Sequence, residues 1–333
     1  MKHNTVNEAC EHTNSIRYGG RRRQCTACHV TWRIRTKKRG PKAIKRRTAN
    51  LQKTFVEGFT IAQQSRRSTV SARALAKRHA QALTSLCSKP WHHVAPRCRL
   101  ILVMDAIWFH FGEAPIIVYL LGLRAVKGGE LHFLRPVLRP GHESRKRWRE
   151  IIEEIAPRVR KRISAIVSDS FAGSGQLARQ YGWVLQRCQA HLLIRLSTLC
   201  GNNKRTVSWR SGRQKIKKLI RVLLETPDEV GTEKVIFALS ALGQDSRCTI
   251  RLRRIVRATI RFQKEYRACF LHPELRLPAT TNALENTNGR IRSLLNRSRG
   301  CRTPESLIRW ITGFLYFHPA VKCRPKSPTK LRR

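Results

Sequence analysis

Two patterns of apolar positions divide this chain. Residues 98–109, 116–124 (IIVYLLGLR) and 131–138 are short apolar runs, with a Lys127-to-Glu130 turn between the last two, and they predict three consecutive antiparallel strands. A helix is expected over 144–155, where Trp148, Ile151, Ile152 and Ile155 recur at helical spacing. Ile163, Ala165, Ile166 and Val167 then form a strand ending at Ser168 and Asp169. A Gly/Ser turn, a short helix over 176–181 and a strand through Trp183, Val184 and Leu185 lead to Cys188 and His191. Beyond His191 the period becomes helical. Ile216, Leu219, Ile220, Leu223 and Leu224 mark one face, and Leu252, Ile255, Val256 and Ile260 another. A last helix over 304–317 carries Leu307, Ile308, Ile311, Phe314 and Leu315.

The order βββ-α-β-α-β-α is that of an α/β, ribonuclease-H-like mixed sheet. It is expected over residues 97–199 and 273–318, split by an all-helical insertion at 200–272. Smaller regions precede it. Residues 1–36 hold Cys25 and Cys28 at Cys-x2-Cys spacing, half of a tetrahedral zinc site. Cys10 supplies a third thiol, and Thr13 stands where a fourth would complete the set. His12, His29 or His3 could replace it, so residues 1–36 read as a zinc-ribbon-like region or as a former ribbon that has lost a ligand. A basic linker is expected at 37–48. Residues 49–90 read as two or three short helices of helix-turn-helix type. Leu51, Phe55 and Phe59 lie on one face of the first, Leu75 and His79 on one face of a later one, and Arg73, Lys77 and Arg78 opposite. A basic tail at 319–333 is expected to be disordered.

Charge narrows the class. Sixty-eight Lys and Arg against 20 Asp and Glu give +48, which a polyanion would neutralise, so nucleic acid is the expected partner. No run approaches the ~20 apolar residues that span a bilayer. Eleven cysteines and a polar start lead to the expectation of a reducing, intracellular setting. Only four aspartates occur: Asp105, Asp169, Asp228 and Asp245. Asp105 interrupts an apolar run and must be neutralised, paired or metal-bound, because a bare buried carboxylate is costly. Asp169 ends a strand, where open α/β sheets place their chemistry, although helix capping is its other reading. Glu285 falls in the first turn of a helix capped by Thr281 or Asn282, where favouring the helix dipole is the plainer role. Arg290, Arg292, Arg297 and Arg299 extend a basic face beyond it.

Taken in order, these motifs resemble the Mutator-like insertion-sequence transposases, zinc-binding variant. The match runs from Asp105 in VMDAIWF through Asp169 in AIVSDSFAG and the Cys188/His191 C-x2-H pair to Glu285 in ATTNALENTNGRIR and CRTPESLIRWI, over about residues 97–318. The resemblance implies a bacterial DDE transposase, cytoplasmic and nucleoid-associated, that cleaves and joins double-stranded DNA at terminal inverted repeats and at target DNA, as a homo-oligomer on DNA. It implies that Asp105, Asp169 and Glu285 hold two Mg2+ or Mn2+ ions, whose preference for hard oxygen ligands matches an Asp/Asp/Glu set. Cys188 and His191 are then supporting residues, since C-x2-H lacks two of four zinc ligands. Zn2+ is expected only at Cys10, His12, Cys25 and Cys28. A catalytically inactive DNA-binding regulator and a nuclease of branched DNA are the alternative readings.

Overall fold

The computed structural model describes residues 10–11, 13–19, 22–33, 51–88, 98–111, 114–201, 208–297 and 301–317. His3, His12, Arg299, the 37–48 linker and the 319–333 tail lie outside the described residues. The chain divides into two compact units, Met1–Ala49 and Asn50–Arg333.

The first unit is a three-stranded antiparallel sheet of β1 (Ser15–Arg17), β2 (Arg22–Cys25) and β3 (Thr31–Arg33), in sequential order. Its β2–β3 connection is tight: His29 takes a positive φ of 58° and its amide donates to Cys25 O at 3.0 Å. That turn carries Cys28 back beside Cys25.

The second unit opens with α1 (described over residues 51–55), α2 (Ile61–Arg66) and α3 (Ala72–Ser88). Phe59, expected on the first helix, lies beyond it, because the chain leaves the helix after Phe55 and turns through Gly58 at φ +72°. Thr60 and Gln63 then start α2 with reciprocal side-chain caps.

A mixed sheet forms the centre. It contains β4 (Leu100–Phe111), β5 (Ala114–Ala125), β6 (His132–Phe133), β7 (Val137–Pro140), β8 (Ile163–Ser168) and β9 (Val184–Arg187). The spatial order is β6-β5-β4-β8-β9, with β7 also on β5; β5 runs antiparallel to β4, and β8 and β9 run parallel to it. This arrangement is compatible with the expected fold class. The single strand expected at 131–138 is instead two, both paired to β5. Pro136 sits between them and has no N–H for the ladder.

Between the strands lie α4 (Arg145–Glu153), α5 (Pro157–Arg160) and α6 (Ser174–Tyr181), followed by α7 (Gln189–Cys200). The insertion contributes α8 (Arg210–Glu225), α9 (Glu229–Gln244), α10 (Ile250–Arg261), α11 (Gln263–Tyr266) and α12 (Ala268–Leu271), and the chain returns with α13 (Asn282–Arg297) and α14 (Pro304–Phe317).

Strand alternation explains the layers. Ile101, Val103, Ile107, Val118, Leu120, Ala165 and Val167 face one way, onto Leu284, Ile291, Leu294 and Leu295 of α13. Leu100, Leu102, Met104, Ile117, Tyr119 and Ile166 face the other, onto Trp148, Ile151 and Ile152 of α4 and Leu177 of α6. Both faces are covered, which is why β4 reads as a continuous apolar run. Leu51, Phe55 and Leu83 join the first layer through α14, and a Cβ at Gly313 would meet Leu83 and Phe55 side chains at 2.6 Å. Helices α7 to α10 form a third core of their own.

Candidate metal and nucleic-acid site

Parity decides where Asp105 points. It has the same parity on β4 as Ile101, Val103 and Ile107, so it faces α13 and is 7% exposed. Ala106 N donates to its Oδ1 at 2.9 Å, and Asn288 Nδ2 of α13 donates to Oδ2. The β4–β8 ladder pairs Val103 with Val167, and continuing that register by two residues sets Asp169 beside Asp105 on the same face. Asp169, expected at the end of the buried strand, instead lies just past β8 and is partly exposed. The β9 ladder pairs Arg187 with Ser168, and Cys188 N donates to Ser168 O at 2.8 Å, which brings Cys188 to the same end of the sheet.

Glu285 comes from α13. Gln189 N at the start of α7 donates to Ala279 O at 3.0 Å, and Thr281 O accepts the Glu285 amide at 3.0 Å. These bonds hold the first turn of α13 over the ends of β8 and β9. The Thr281 hydroxyl lies 2.6 Å from Glu285 Oε1 and 3.2 Å from Cys188 Sγ, and its single proton serves one of them. Cys188 Sγ is 3.4 Å and His191 Nδ1 3.3 Å from the same Oε1. Asn288 is one turn after Glu285, so both side chains face the sheet.

Electrostatics binds the carboxylates into one system. Burial pushes the Asp105 carboxyl up to about 7; the Ala106 amide and His191 pull it down, and the charges of Asp169 and Glu285 raise it further. Glu143, which sequence reasoning passed over, belongs to the same neighbourhood. Burial and then the Asp169 charge push it up to about 6, and it accepts from Trp148 Nε1 at 2.7 Å. Its only sequence signal was a lone carboxylate ahead of a capped helix. Asn288 was missed likewise, as one asparagine in a polar helix.

Among the described residues, two groups have three metal-type donors with all ligand atoms within 4.8 Å: Cys10 with Cys25 and Cys28, and Cys188 with His191 and Glu285. The first keeps three of the expected N-terminal donors together, with Cys10 and Cys25 sulfurs 3.6 Å apart. Asp105, Asp169 and Glu285 do not meet that spacing as a set among the described residues. Their chemistry nonetheless fits a hard divalent cation. All three offer carboxylate oxygen, and the buried Asn288 Oδ1 beside Asp105 has no hydrogen-bond partner. Arg73, Lys77 and Arg78 are exposed on α3, and Arg290, Arg292 and Arg297 on the outer side of α13.

No protein-family model matches the chain, and no curated protein matches it. Among solved structures it is similar to the Drosophila P element transposase strand transfer complex, at 10% identity and TM-score 0.43, covering 82% of this chain and 91% of that one. It is also similar to the crystal structure of NurA with manganese, at 13% identity and TM-score 0.13, covering 82% of this chain and 62% of that one. Both likenesses are too distant to carry an argument about function.

Proposed function

We propose that this chain is a DDE transposase of the Mutator-like type, built on a ribonuclease-H-like sheet, that cuts and joins DNA strands at the ends of its own element. One observation carries the reading. The buried Asp105 carboxyl, pushed up to about 7, shares its surroundings with Asp169 and Glu285, beside the carboxyl end of the parallel strand β8, in a chain of net charge +48. Carboxylates gathered at such a place in so basic a protein suit a cation that neutralises them, and a polyanionic substrate suits the rest of the surface.

Asp105, Asp169 and Glu285 would hold Mg2+ or Mn2+, with Asn288 Oδ1 as a neutral oxygen beside them. Bound there, the ions supply activation of water or a DNA 3′-hydroxyl and neutralisation of charge on the scissile phosphodiester. The chain's own residues do the positioning. Asn288 and the Ala106 amide fix both oxygens of Asp105, and Thr281 fixes Oε1 of Glu285. Hydrophobic layers on both sides of β4 keep Asp105 shielded from water, which strengthens its hold on a cation. Exposed Arg73, Lys77, Arg78, Arg290, Arg292 and Arg297 would bind phosphates, giving an affinity that falls with salt by a log–log slope of about −0.9 per phosphate neutralised. Cys10, Cys25 and Cys28 would hold zinc in the N-terminal unit.

The test is a labelled duplex carrying the DNA that flanks the reading frame, incubated with the full chain in Mg2+. Nicking at the element's ends followed by joining to a second duplex is the expected result. Salt-sensitive binding without any metal-dependent cleavage would overturn it in favour of a DNA-binding regulator. Cleavage confined to branched DNA without joining would overturn it in favour of a nuclease.

A further inference from the structure

Glu285 belongs to a second set of donors whose chemistry differs from that of the aspartates. We propose that Cys188 Sγ, His191 Nδ1 and Glu285 Oε1 form a binding site for a thiophilic transition metal ion of the zinc type, separate in donor character from the hard-cation site and sharing Glu285 with it.

The spacing fits. Tetrahedral zinc with ordinary bond lengths puts sulfur and oxygen ligands about 3.5 Å apart, and nitrogen and oxygen ligands about 3.3 Å apart. Here the corresponding separations are 3.4 Å and 3.3 Å. The nitrogen is also free for the role. His191 Nδ1 is shielded from solvent and has no hydrogen-bond partner; it lies within ion-pair distance of Glu285 Oε1 but is not aligned as a hydrogen bond. A shielded imidazole nitrogen left in this way has a lone pair or a proton to place, and a metal ion uses the lone pair.

The sulfur is prepared in a complementary way. Thr281 N donates to Cys188 Sγ at 3.3 Å, and Thr281 Oγ1, whose one proton goes to Glu285 Oε1 at 2.6 Å, lies 3.2 Å from the sulfur. In the metal-free chain the Cys188 thiol donates to Glu285 Oε1 at 3.4 Å, so sulfur and carboxylate already face each other where an ion would replace that proton.

Local structure explains why these three groups meet. Cys188 is the N-cap of α7 and His191 lies in that helix's first turn, so the C-x2-H spacing turns both toward one point. The missing third donor comes from α13, ninety-seven residues further on, through the Thr281 and Gln189 hydrogen bonds. The His191 and Glu285 side chains are 28% and 26% exposed, which leaves an approach for the ion and for a water or substrate ligand. Thiolate with imidazole selects zinc-type ions, whereas magnesium requires oxygen. Since Thr281, Cys188 and His191 all address Oε1, Oε2 remains for the hard-cation site.

The test uses the full chain with Cys25→Ser and Cys28→Ser, which removes two of the three N-terminal thiols, and Co2+ as the spectroscopic probe. A sulfur-to-cobalt charge-transfer band that saturates at one equivalent per chain is expected. Adding Cys188→Ser should abolish the band. Adding His191→Gln, at a partly exposed position that should leave the fold and its circular dichroism unchanged, should weaken Co2+ binding at least about 100-fold. Absence of the sulfur-to-cobalt band in the double variant, or a band indifferent to Cys188→Ser and His191→Gln, would overturn the site. None of these readouts involves DNA. A chain that binds Co2+ in this way but cleaves nothing would count against the transposase reading and leave this site standing.

Discussion

The four aspartates form two pairs that the fold treats in opposite ways. Asp228 and Asp245 lie in the helical insertion and are stabilised by their surroundings. Asp228 caps α9 by accepting from Gly231 N, and Asp245 accepts from the Arg247 amide at 2.9 Å and guanidinium at 2.8 Å. Those bonds pull the Asp245 carboxyl down to about 2. Asp105 is treated the other way: burial, Asp169 and Glu285 all oppose its charge. A chain with 68 Lys and Arg could have supplied a cation to either pair. Asp228 and Asp245 serve local folding, whereas Asp105 on the sheet stores an electrostatic cost that a bound cation would relieve.

The largest expected effect is on cleavage. Asp105→Asn, Asp169→Asn and Glu285→Gln keep size but remove charge, and each should slow cleavage of the labelled duplex by on the order of 10³-fold or more. DNA binding, measured on the same variants by filter retention, should persist. Asp228→Asn and Asp245→Asn should cleave like the parent, and equal losses in both pairs would erase the distinction between them.

The second effect is on stability and has a definite sign. The folded-state pKa of Asp105 is raised, so the native state binds more protons than the unfolded chain between about pH 4 and pH 7. Metal-free stability from this group is therefore full below about pH 4 and falls as pH rises to about 7. The cost above pH 7 is on the order of 4 kcal/mol at most. Asp105→Asn should remove that slope and raise Tm above the parent's at pH 8, because the Asn288 amide can turn its free Oδ1 toward the new NH2. Thermal melts of metal-free parent and variant from pH 5 to 8 check this.

Smaller effects come from the insertion. Asp228→Ala should cost about 1 kcal/mol through loss of the α9 cap, and Asp228→Asn much less, by urea denaturation. Asp245→Asn removes an ion pair in water and should barely move Tm, at low or high salt.

Much of this was legible in the sequence because periodicity and parity are local. The β4 run, the strand leading to Asp169, the helix after residue 144 and the placing of Glu285 in a first helical turn all follow from residues within one element. Breaks in a pattern were harder. Pro136 splits a strand, and Gly58 ends a helix before Phe59, although both residues were visible as the cause. Relations between distant segments were not legible. Nothing near Cys188 and His191 announces that Glu285 completes their set, or that Asn288 reaches Asp105 across 183 positions. Glu143 near Asp169 was hidden for the same reason. Such contacts depend on how α13 lies across β4, which no short-range pattern encodes.

The central claim is that Asp105, Asp169 and Glu285 bind one kind of ion together. Mn2+ binding to the full chain, followed by the paramagnetic resonance signal of free Mn2+ at pH 8, tests it without any DNA. The parent and Asp228→Asn should deplete the free ion alike, while Asp105→Asn, Asp169→Asn and Glu285→Gln should each leave it largely in solution. Parental Mn2+ affinity in Asp105→Asn would contradict the account.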